Sequence, residues 1–350
     1  MPRIVIAGAG MVGASIAYHL ALRGTRHVVL ADLGGIAGRA TGKAMGGVRQ
    51  QFSTAPEVRL AQASVRLFQE LGSPLFDQVG YLFLATTESG LVELEERRVL
   101  QQGLGVPVER VDPSLVAGLE TSDVLGAVFC AEDGVADPAA VTHELVARAA
   151  ARGVEVREWT DATALDADLL VLACGADSAG VAAAYGVELP IRPLCRQLVE
   201  TTPVRGLPAA LPMTVEGDTG FHFRRRGDRL ILAMREPTAR WGAREEVDEA
   251  LVEDWLRRLH RRYPPAEGAR VARTWAGLYD MTPDAHPIIG WVADGTYVAC
   301  GFSGHGFMQA PAVGAAVAEE LLDGESSFAL SAYRLERFGG ESLFPETVVL

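Results

Sequence analysis

Three glycines near the start of the chain have the spacing of a phosphate-binding turn. Gly8, Gly10 and Gly13 form the pattern G-x-G-x-x-G. The pattern follows a short apolar run at residues 3–7 and precedes small and apolar residues at helical spacing, so it joins a strand to a helix. A second apolar run ends at Asp32. This order predicts a strand–turn–helix–strand unit that binds a dinucleotide.

Each residue of this unit has its own physical role. Gly8 allows a tight turn, Gly10 lets the backbone approach a diphosphate, and Gly13 lets the helix pack closely on the strand. The free N–H groups and the positive end of the helix dipole would then bind the diphosphate. Asp32 would accept hydrogen bonds from the adenosine ribose and repel a 2′-phosphate, which disfavours NADP. The motif alone leaves FAD, NAD and an unliganded turn open.

The length and composition are those of a two-domain α/β protein. The chain has 350 residues, 49% hydrophobic and 22% charged, and this length exceeds the usual size of one hydrophobic core. Its net charge of -13 argues against a nucleic-acid partner. We expect no membrane span, because no run of about 18 apolar residues occurs. We also expect no secretory signal, because residues 1–7 are already a strand.

The cysteines favour a reducing compartment. Cys130, Cys174, Cys195 and Cys300 lie far apart and form no C-x-x-C pair. This spacing fits neither a disulfide framework nor a zinc site, so no metal site is predicted. We therefore expect a cytoplasmic protein.

The pattern of elements predicts an α/β fold with two domains that are discontinuous in sequence. Strand–helix alternation indicates a Rossmann-like nucleotide-binding domain built from residues 1–77, 134–190 and 271–350. Strand-rich insertions at residues 78–133 and 191–270 predict a second, α+β domain built on an antiparallel sheet, where the substrate would bind.

Four further segments make the fold and function more specific. They are T-G-K-A-M-G-G-V-R-Q-Q-F at residues 41–52, A-C-G at 173–175, G-L-Y-D-M-T-P-D at 277–284 and G-F-S-G-H-G-F-M at 301–308. In this order they resemble the D-amino-acid-oxidase superfamily of FAD-dependent amine oxidoreductases. The likeness is strongest to the sarcosine oxidase branch and to β-type L-proline dehydrogenases, and it covers nearly the whole chain.

The resemblance implies an FAD-binding domain of the glutathione-reductase type, with FAD extended and its isoalloxazine at the domain interface. Sarcosine oxidases carry their flavin-linking cysteine at the position of Gly277, so the FAD should be non-covalent. The implied cofactor-binding residues are Gly8, Gly10, Met11, Val12, Gly13, Asp32, Thr41, Ala44, Met45, Gly46, Gly47, Val156, Cys174, Gly175, Gly277, Leu278, Gly301, Gly304, His305, Gly306, Phe307 and Met308.

A glycine-rich loop near the end of the chain would lie against the flavin. Gly301, Gly304 and Gly306 carry no side-chain bulk, so the backbone can approach a flat ring. A helix predicted from about Pro311 would direct its N–H groups at the pyrimidine end of the ring and stabilise negative charge there. The resemblance places His305 near the polar edge of the flavin, with a loop histidine that satisfies local carbonyls as the alternative.

Candidate substrate-binding residues follow from the need to hold a carboxylate. A guanidinium fork does this best, and the resemblance assigns that role to Arg49, against a structural ion pair or a phosphate contact. Tyr279 matches a tyrosine that faces the substrate, although it could also cap a turn. Arg235 stands where a related enzyme has a substrate-side histidine, and His222 lies on a strand that could face the cavity.

These features predict an FAD-dependent oxidoreductase that oxidises the C–N bond of a small amino acid or N-substituted amino acid such as sarcosine or proline. Hydride would pass to flavin N5, and the imine would hydrolyse in water. Met308 replaces a lysine that sarcosine oxidases use with oxygen, which favours a dehydrogenase whose electrons go to another acceptor, with a partner subunit as one option.

Three alternatives stay open. A D-amino acid or glycine oxidase would share the fold and produce hydrogen peroxide. A flavin-bearing assembly or scaffold protein would retain FAD without turnover, with Gln50, Gln51 and Phe52 as interface residues. An NAD-dependent enzyme would leave the loop at residues 301–308 unexplained.

Overall fold

The computed structural model describes residues 2–340, 343 and 345–350; Met1 of the predicted first strand lies outside this part. Within it the strands are β1 (Ile4–Ala7), β2 (Val28–Ala31), β3 (Gly47–Val48), β4 (Phe76–Asp77), β5 (Tyr81–Ala85), β6 (Val108–Arg110), β7 (Gly126–Cys130), β8 (Gly134–Ala136), β9 (Glu155–Arg157), β10 (Leu169–Leu172), β11 (Arg192–Thr201), β12 (Met213–Glu216), β13 (His222–Arg226), β14 (Arg229–Ala233), β15 (Arg240–Trp241), β16 (Val271–Met281), β17 (Ile288–Ala293) and β18 (Thr296–Cys300).

The same part of the chain contains eight α-helices. They are α1 (Met11–Leu22), α2 (Ala40–Lys43), α3 (Ala55–Leu71), α4 (Glu88–Gly103), α5 (Pro138–Ala150), α6 (Ser178–Ala183), α7 (Glu249–Arg262) and α8 (Gly306–Asp323). Among the residues described, no helix combines the length and the apolar character that a membrane crossing requires.

A six-stranded sheet lies in the part of the chain that is predicted to bind a nucleotide. Its order is β17-β18-β10-β1-β2-β9, parallel except for the β17–β18 pair. Every residue of β1, β2 and β10 is buried, as expected for parallel strands covered by helices on both faces. Ala7 pairs with both Ala31 and Leu172, so the carboxyl ends of these three strands meet at one edge.

A nine-stranded sheet forms the second layer. Its order is β15-β11-β14-β13-β12-β5-β7-β6, with β16 paired to β11. The sheet is antiparallel except for the β5–β12 pair, which joins the two insertions. A hairpin turn at Gly227-Asp228 connects β13 to β14. The predicted division places residues from 271 onward in the nucleotide-binding domain, whereas β16 pairs along β11 in this second sheet.

The last long helix begins earlier than the sequence suggests. Because proline favours the first turn of a helix, we expect a start near Pro311, but α8 begins at Gly306 and contains Pro311 in its interior. Next to Pro311 the Ser64 hydroxyl of α3 bonds to the helix backbone: it donates to the Gln309 carbonyl (2.9 Å) and accepts from the Ala312 N–H (3.0 Å). The first free N–H groups of α8 therefore lie at residues 306–308.

Candidate functional site

A cavity of about 820 Å³ lies between the carboxyl edge of the parallel sheet and the second sheet. This volume is near the upper end of the range for ligand pockets. The predicted site residues that line it are Gly8, Gly10, Met11, Val12, Asp32, Thr41, Ala44, Met45, Gly46, Gly47, Arg49, Cys174, Gly175, His222, Gly277, Leu278, Tyr279, Gly304, His305, Gly306, Phe307 and Met308.

Four predicted site residues do not line the cavity. Gly13 and Gly301 are packing positions: a Cβ on Gly13 would lie 1.9 Å from the Gly8 carbonyl oxygen, and one on Gly301 would lie 2.6 Å from a methyl carbon of Thr282. Val156 pairs with β2 and packs on the core. The fourth, the arginine at position 235, is exposed and donates to a backbone carbonyl at residue 349 (3.3 Å).

The turn after β1 has the geometry that the glycine motif predicts. Gly8 has φ +109°, and a Cβ there would lie 2.3 Å from the Ala173 carbonyl oxygen. No side chain other than hydrogen fits this position. The turn therefore brings the chain to the cavity edge and starts α1 there, at Met11.

Two helices begin at the cavity with free N–H groups. The N-caps of α1 and α8, Gly10 and His305, provide no side-chain cap, and the first helical N–H groups need an acceptor. At α1, Met11 N–H meets the Thr41 hydroxyl at 3.1 Å. These two helix N-termini, whose own N-cap residues give no side-chain cap, face one elongated cavity. They fit a diphosphate at the first and an electron-rich ring edge at the second. The residues present therefore fit FAD.

Backbone N–H groups hold the carboxylate of Asp32, the residue predicted to bind the ribose. Its two carboxylate oxygens accept the Ala9 and Gly34 backbone N–H groups, both at 2.7 Å. Each oxygen retains a lone pair for a ribose hydroxyl. Near it, Leu33 and Trp159 line the cavity although they are 72% and 79% exposed. These two apolar side chains at the cavity mouth were missed by sequence reasoning, because an isolated Leu or Trp gives no signal.

Arg49 is buried at the end of the cavity away from Asp32, and its guanidinium already donates hydrogen bonds to backbone carbonyls of the protein. One terminal nitrogen donates to the Gln51 carbonyl, and the other donates to the Val348 carbonyl at 2.6 Å. The guanidinium lies 4.0 Å from the centre of the Phe52 ring. The described residues include no carboxylate within ion-pair distance of it, so it is not the structural ion pair that was one alternative.

A segment at residues 346–350 lies across this end of the cavity. The Glu346 carboxylate anchors it by accepting the Ser53 and Thr54 backbone N–H groups at 3.0–3.2 Å. Beyond this anchor, three successive backbone carbonyls accept hydrogen bonds from predicted site residues. The donors are Arg49 to the carbonyl of residue 348, Arg235 to that of 349 and the Tyr279 hydroxyl to that of 350 (3.0 Å).

Two buried histidines lie at the cavity, and their ring nitrogens have different hydrogen-bond partners. Nε2 of His305 lies 3.2 Å from the Val348 carbonyl and 3.5 Å from Nη2 of Arg49, and Nδ1 has no partner in the described structure. Nδ1 of His222 is 2.7 Å from the Gly220 carbonyl and carries the proton there, so its Nε2 is an acceptor. Burial, reinforced by Arg49, lowers both pKa values, that of His222 to about 4.

Tyr279 packs against the glycine-rich loop and beside an arginine that sequence reasoning missed. A Cβ on Gly304 would lie 2.4 Å from the tyrosine ring, so only glycine allows this contact. Arg196 of β11 lines the cavity with its guanidinium carbon 5.9 Å from the centre of the same ring. Burial raises the pKa of the Tyr279 hydroxyl, which therefore stays protonated at neutral pH. A charged residue within an apolar strand was the available signal for Arg196.

A buried carboxylate fixes the loop that carries Arg49. Asp133 accepts the Gln50 backbone N–H (3.0 Å), the Gln50 side-chain amide (3.2 Å) and the Gln51 side-chain amide (3.1 Å). Burial raises the pKa of this carboxyl to about 6. The Gln51 carbonyl that accepts from Arg49 is thereby held in place. Gln50 and Gln51 are both 2% exposed, which leaves them no surface for the interface role considered in the scaffold alternative.

The chain belongs to the family of FAD-dependent oxidoreductases known by the abbreviation DAO, whose model matches residues 3–320. This match covers most of the chain and includes all four segments on which the D-amino-acid-oxidase resemblance rests. The resemblance is thus confirmed, as is the prediction of an FAD-dependent oxidoreductase.

Three similar proteins illustrate the family. The 4-methylaminobutanoate oxidase (formaldehyde-forming) of Paenarthrobacter nicotinovorans is 27% identical, over 97% of this chain and 46% of that protein, so this chain spans about half its length. The sarcosine oxidase subunit beta of Rhodobacter capsulatus is 23% identical, over 99% and 90% of the two chains. The L-proline dehydrogenase structure from P. horikoshii is 28% identical with a TM-score of 0.89, covering 97% and 98%. This similarity confirms the predicted fold class.

Proposed function

We propose that the protein oxidises the C–N bond of a small amino acid or N-substituted amino acid of the sarcosine or proline type. FAD, when bound, supplies the acceptor for the hydride removed from the carbon beside the nitrogen. The imine that results would be hydrolysed in water. The chain's own residues would bind the carboxylate, orient the amine and exclude solvent from the reacting carbon.

One observation carries this proposal: the end of the cavity beside α8 contains two arginine side chains, and no described acidic residue forms an ion pair with either of them. Arg49 and Arg196 both lower the pKa of His222 electrostatically, so the three groups lie close together. Neither arginine forms an ion pair within the described residues. Two guanidinium groups without a counter-ion favour an anionic ligand, and the planar fork matches a carboxylate.

The neutral imidazole of His222 supplies the complementary group for the amine. Its Nε2 lone pair can accept a hydrogen bond from a substrate N–H. Burial and the neighbouring arginines keep this ring unprotonated at neutral pH. The ring therefore carries no positive charge that would pair with the substrate carboxylate. The arrangement thus offers a cation for one end of an amino acid and an acceptor for the other.

We propose a dehydrogenase in preference to an oxidase, with non-covalent FAD. Met308 lines the cavity where sarcosine oxidases place a lysine, so no fixed ammonium charge stabilises reduced oxygen there. At the position of the flavin-linking cysteine, Gly277 has no nucleophile. Similarity to a sarcosine oxidase subunit supports the idea that a partner subunit receives the electrons. Acid denaturation should release all the flavin into solution.

The test is anaerobic addition of candidate substrates to the FAD-loaded protein. The panel contains proline, sarcosine, glycine, D-alanine and 4-methylaminobutanoate, and the observable is loss of flavin absorbance. Bleaching by proline or sarcosine, with slow recovery in air, is the expected result. Rapid peroxide formation with glycine or D-alanine would instead identify an oxidase. A flavin that no amine bleaches would contradict the proposal and favour the scaffold alternative.

A further inference from the structure

We infer that Arg196, and not Arg49, binds the substrate carboxylate. This inference deepens the proposed function and rests on it. Arg49 was the sequence-based candidate, but the described structure commits both of its terminal nitrogens to backbone carbonyls. Two of the five N–H donors of Arg49 are thus used by the protein, one on each terminal nitrogen, so a ligand carboxylate would have to share this fork with two protein carbonyls.

Arg49 has one buried nitrogen without a partner, Nε, whereas the Arg196 side chain donates to no described residue at all. Its Nε and Nη1 atoms are buried and have no hydrogen-bond partner among the described residues. A buried, unpaired guanidinium nitrogen costs free energy that a ligand oxygen would recover. No side-chain hydrogen bond of Arg196 to a described residue is present, so its guanidinium keeps donors that can engage a carboxylate with two parallel bonds.

The position of Arg196 in the sheet directs it into the cavity. In the β11–β16 pair it lies opposite Gly277, which has no side chain to cover it. Residues 196–198 of this strand all line the cavity, and among them the Gln197 side chain is bonded to Asp248 and Arg240. Arg196 therefore projects from the substrate-side sheet, toward the loop where α8 begins.

The surroundings of Arg196 are suitable for an amino acid. The Tyr279 ring lies beside it, and Met213, Ala233 and Met234 add apolar cavity surface for a substrate side chain or ring. His222 is close enough that the charge of Arg196 lowers the pKa of its imidazole. Carboxylate, amine and apolar parts of one small ligand would thus each meet a matching group.

Arg49 then has a different task in the same site. Through the Val348 carbonyl it holds the segment at residues 346–350, which includes the cavity-lining Leu350. In this arrangement Arg49 shapes the wall of the substrate pocket and Arg196 binds the ligand inside it.

The experiment uses a ligand that cannot be oxidised, so that binding is measured without turnover. Pyrrole-2-carboxylate is titrated into the FAD-loaded protein and followed by the change in flavin absorbance, and pyrrole serves as the probe without a carboxylate. Arg196→Met keeps the aliphatic stem, and Arg196→Lys keeps the charge without the fork. Arg192→Gln is the matched control, because Arg192 lies on the same strand, is exposed and stacks on Trp241 at 4.5 Å.

We expect Arg196→Met to weaken pyrrole-2-carboxylate binding by at least about 30-fold, as for truncation of one partner of a buried charge pair. Arg196→Lys should retain part of the affinity, and Arg192→Gln should bind within about twofold of the unaltered protein. Binding of pyrrole should not depend on residue 196. If the Met variant does not hold FAD, the Lys variant decides: a loss of about tenfold is expected, and unchanged affinity overturns the inference.

Other outcomes separate this inference from the proposed function. Unchanged pyrrole-2-carboxylate affinity in Arg196→Met, in a protein whose flavin proline or sarcosine bleaches, refutes the inference alone. Equal weakening of both probes, or a loss of FAD affinity with normal carboxylate binding, also refutes it, because Arg196 would then shape the cavity or contact the cofactor. An unaltered protein that binds no carboxylate and is bleached by no amino acid refutes the proposed function and the inference together.

Discussion

The buried carboxylate of Asp133 should make the stability of the protein depend on pH in a way that one substitution removes. Its folded-state pKa of about 6 lies above the ordinary value of 3.8 because burial disfavours the charge. Such a group contributes stability that is fully present below the unfolded-state pKa. That stability is lost as pH rises through the folded-state pKa.

The expected magnitude follows from the difference between the two pKa values. A difference of about two units corresponds to roughly 3 kcal/mol of unfolding free energy, of which about 2 kcal/mol is lost between pH 4.5 and 7.5. Asp133→Asn cannot titrate and so lacks this loss. Relative to the Asn variant, the unaltered protein should therefore become less stable by about 2 kcal/mol over that range. For a chain of this length this corresponds to a relative shift of about 3 °C in melting temperature.

The assay is thermal unfolding of both proteins across the pH range, with the difference taken at each pH. This difference cancels the other titrating groups, which the two proteins share. Asp228→Asn, at the exposed turn between β13 and β14, is the control for loss of an aspartate that is not buried. A constant difference for Asp133→Asn across the range would refute the reasoning that burial raises this pKa.

Three further predictions follow from the cavity. Gly8→Ala should abolish FAD binding because the new Cβ would collide with the Ala173 carbonyl, whereas Gly180→Ala, with open space around it, should bind FAD normally; equal retention by both would contradict the tight-turn account. Glu346→Ala should free the segment at residues 346–350, seen as faster amide hydrogen exchange there, and unchanged protection would refute its anchoring role. Lys43, the single lysine of the sequence, lines the cavity. FAD should therefore slow its acetylation, which mass spectrometry measures. Equal rates with and without FAD would contradict the placement of the cofactor in this cavity.

Most of the nucleotide-binding half could be predicted from the sequence because its signals are local. The turn at Gly8 needs a backbone conformation that only glycine adopts readily, and apolar runs of four residues on either side of it form the buried strands β1 and β2. Close packing at Gly13 follows from the same spacing. Such constraints act over a few residues and are therefore visible without a structure.

The start of α8 could not be predicted for a physical reason. Pro311 indicates a first turn, but α8 continues through it, with the Ser64 hydroxyl of α3 bonded to the helix backbone on both sides of the proline. That contact joins residues almost 250 positions apart. No local pattern carries it, so tertiary structure overrides the local preference.

The substrate end of the site was harder to predict because its assignments depend on long-range contacts. From the sequence alone, Arg49 is a candidate for binding a substrate carboxylate. The structure shows that it donates to the carbonyl of Val348, 299 positions away. From the sequence alone, Arg196 has the character of a surface residue. Only the pairing of its strand with β16 places it at the cavity. Arg235 has the right residue type near a strand end, but it follows β14 outside the cavity. Residue type could be predicted in each case, whereas side-chain direction could not.

The most direct test of the central claim compares one amine with and without its carboxylate. Anaerobic flavin reduction is measured in the FAD-loaded protein with proline against pyrrolidine and with sarcosine against dimethylamine. The account predicts that one amino acid bleaches the flavin at least about 100-fold faster, per unit concentration, than its partner amine, because only the acid engages the cationic cavity end. Equal reduction by both members of each pair, or by neither, would contradict it.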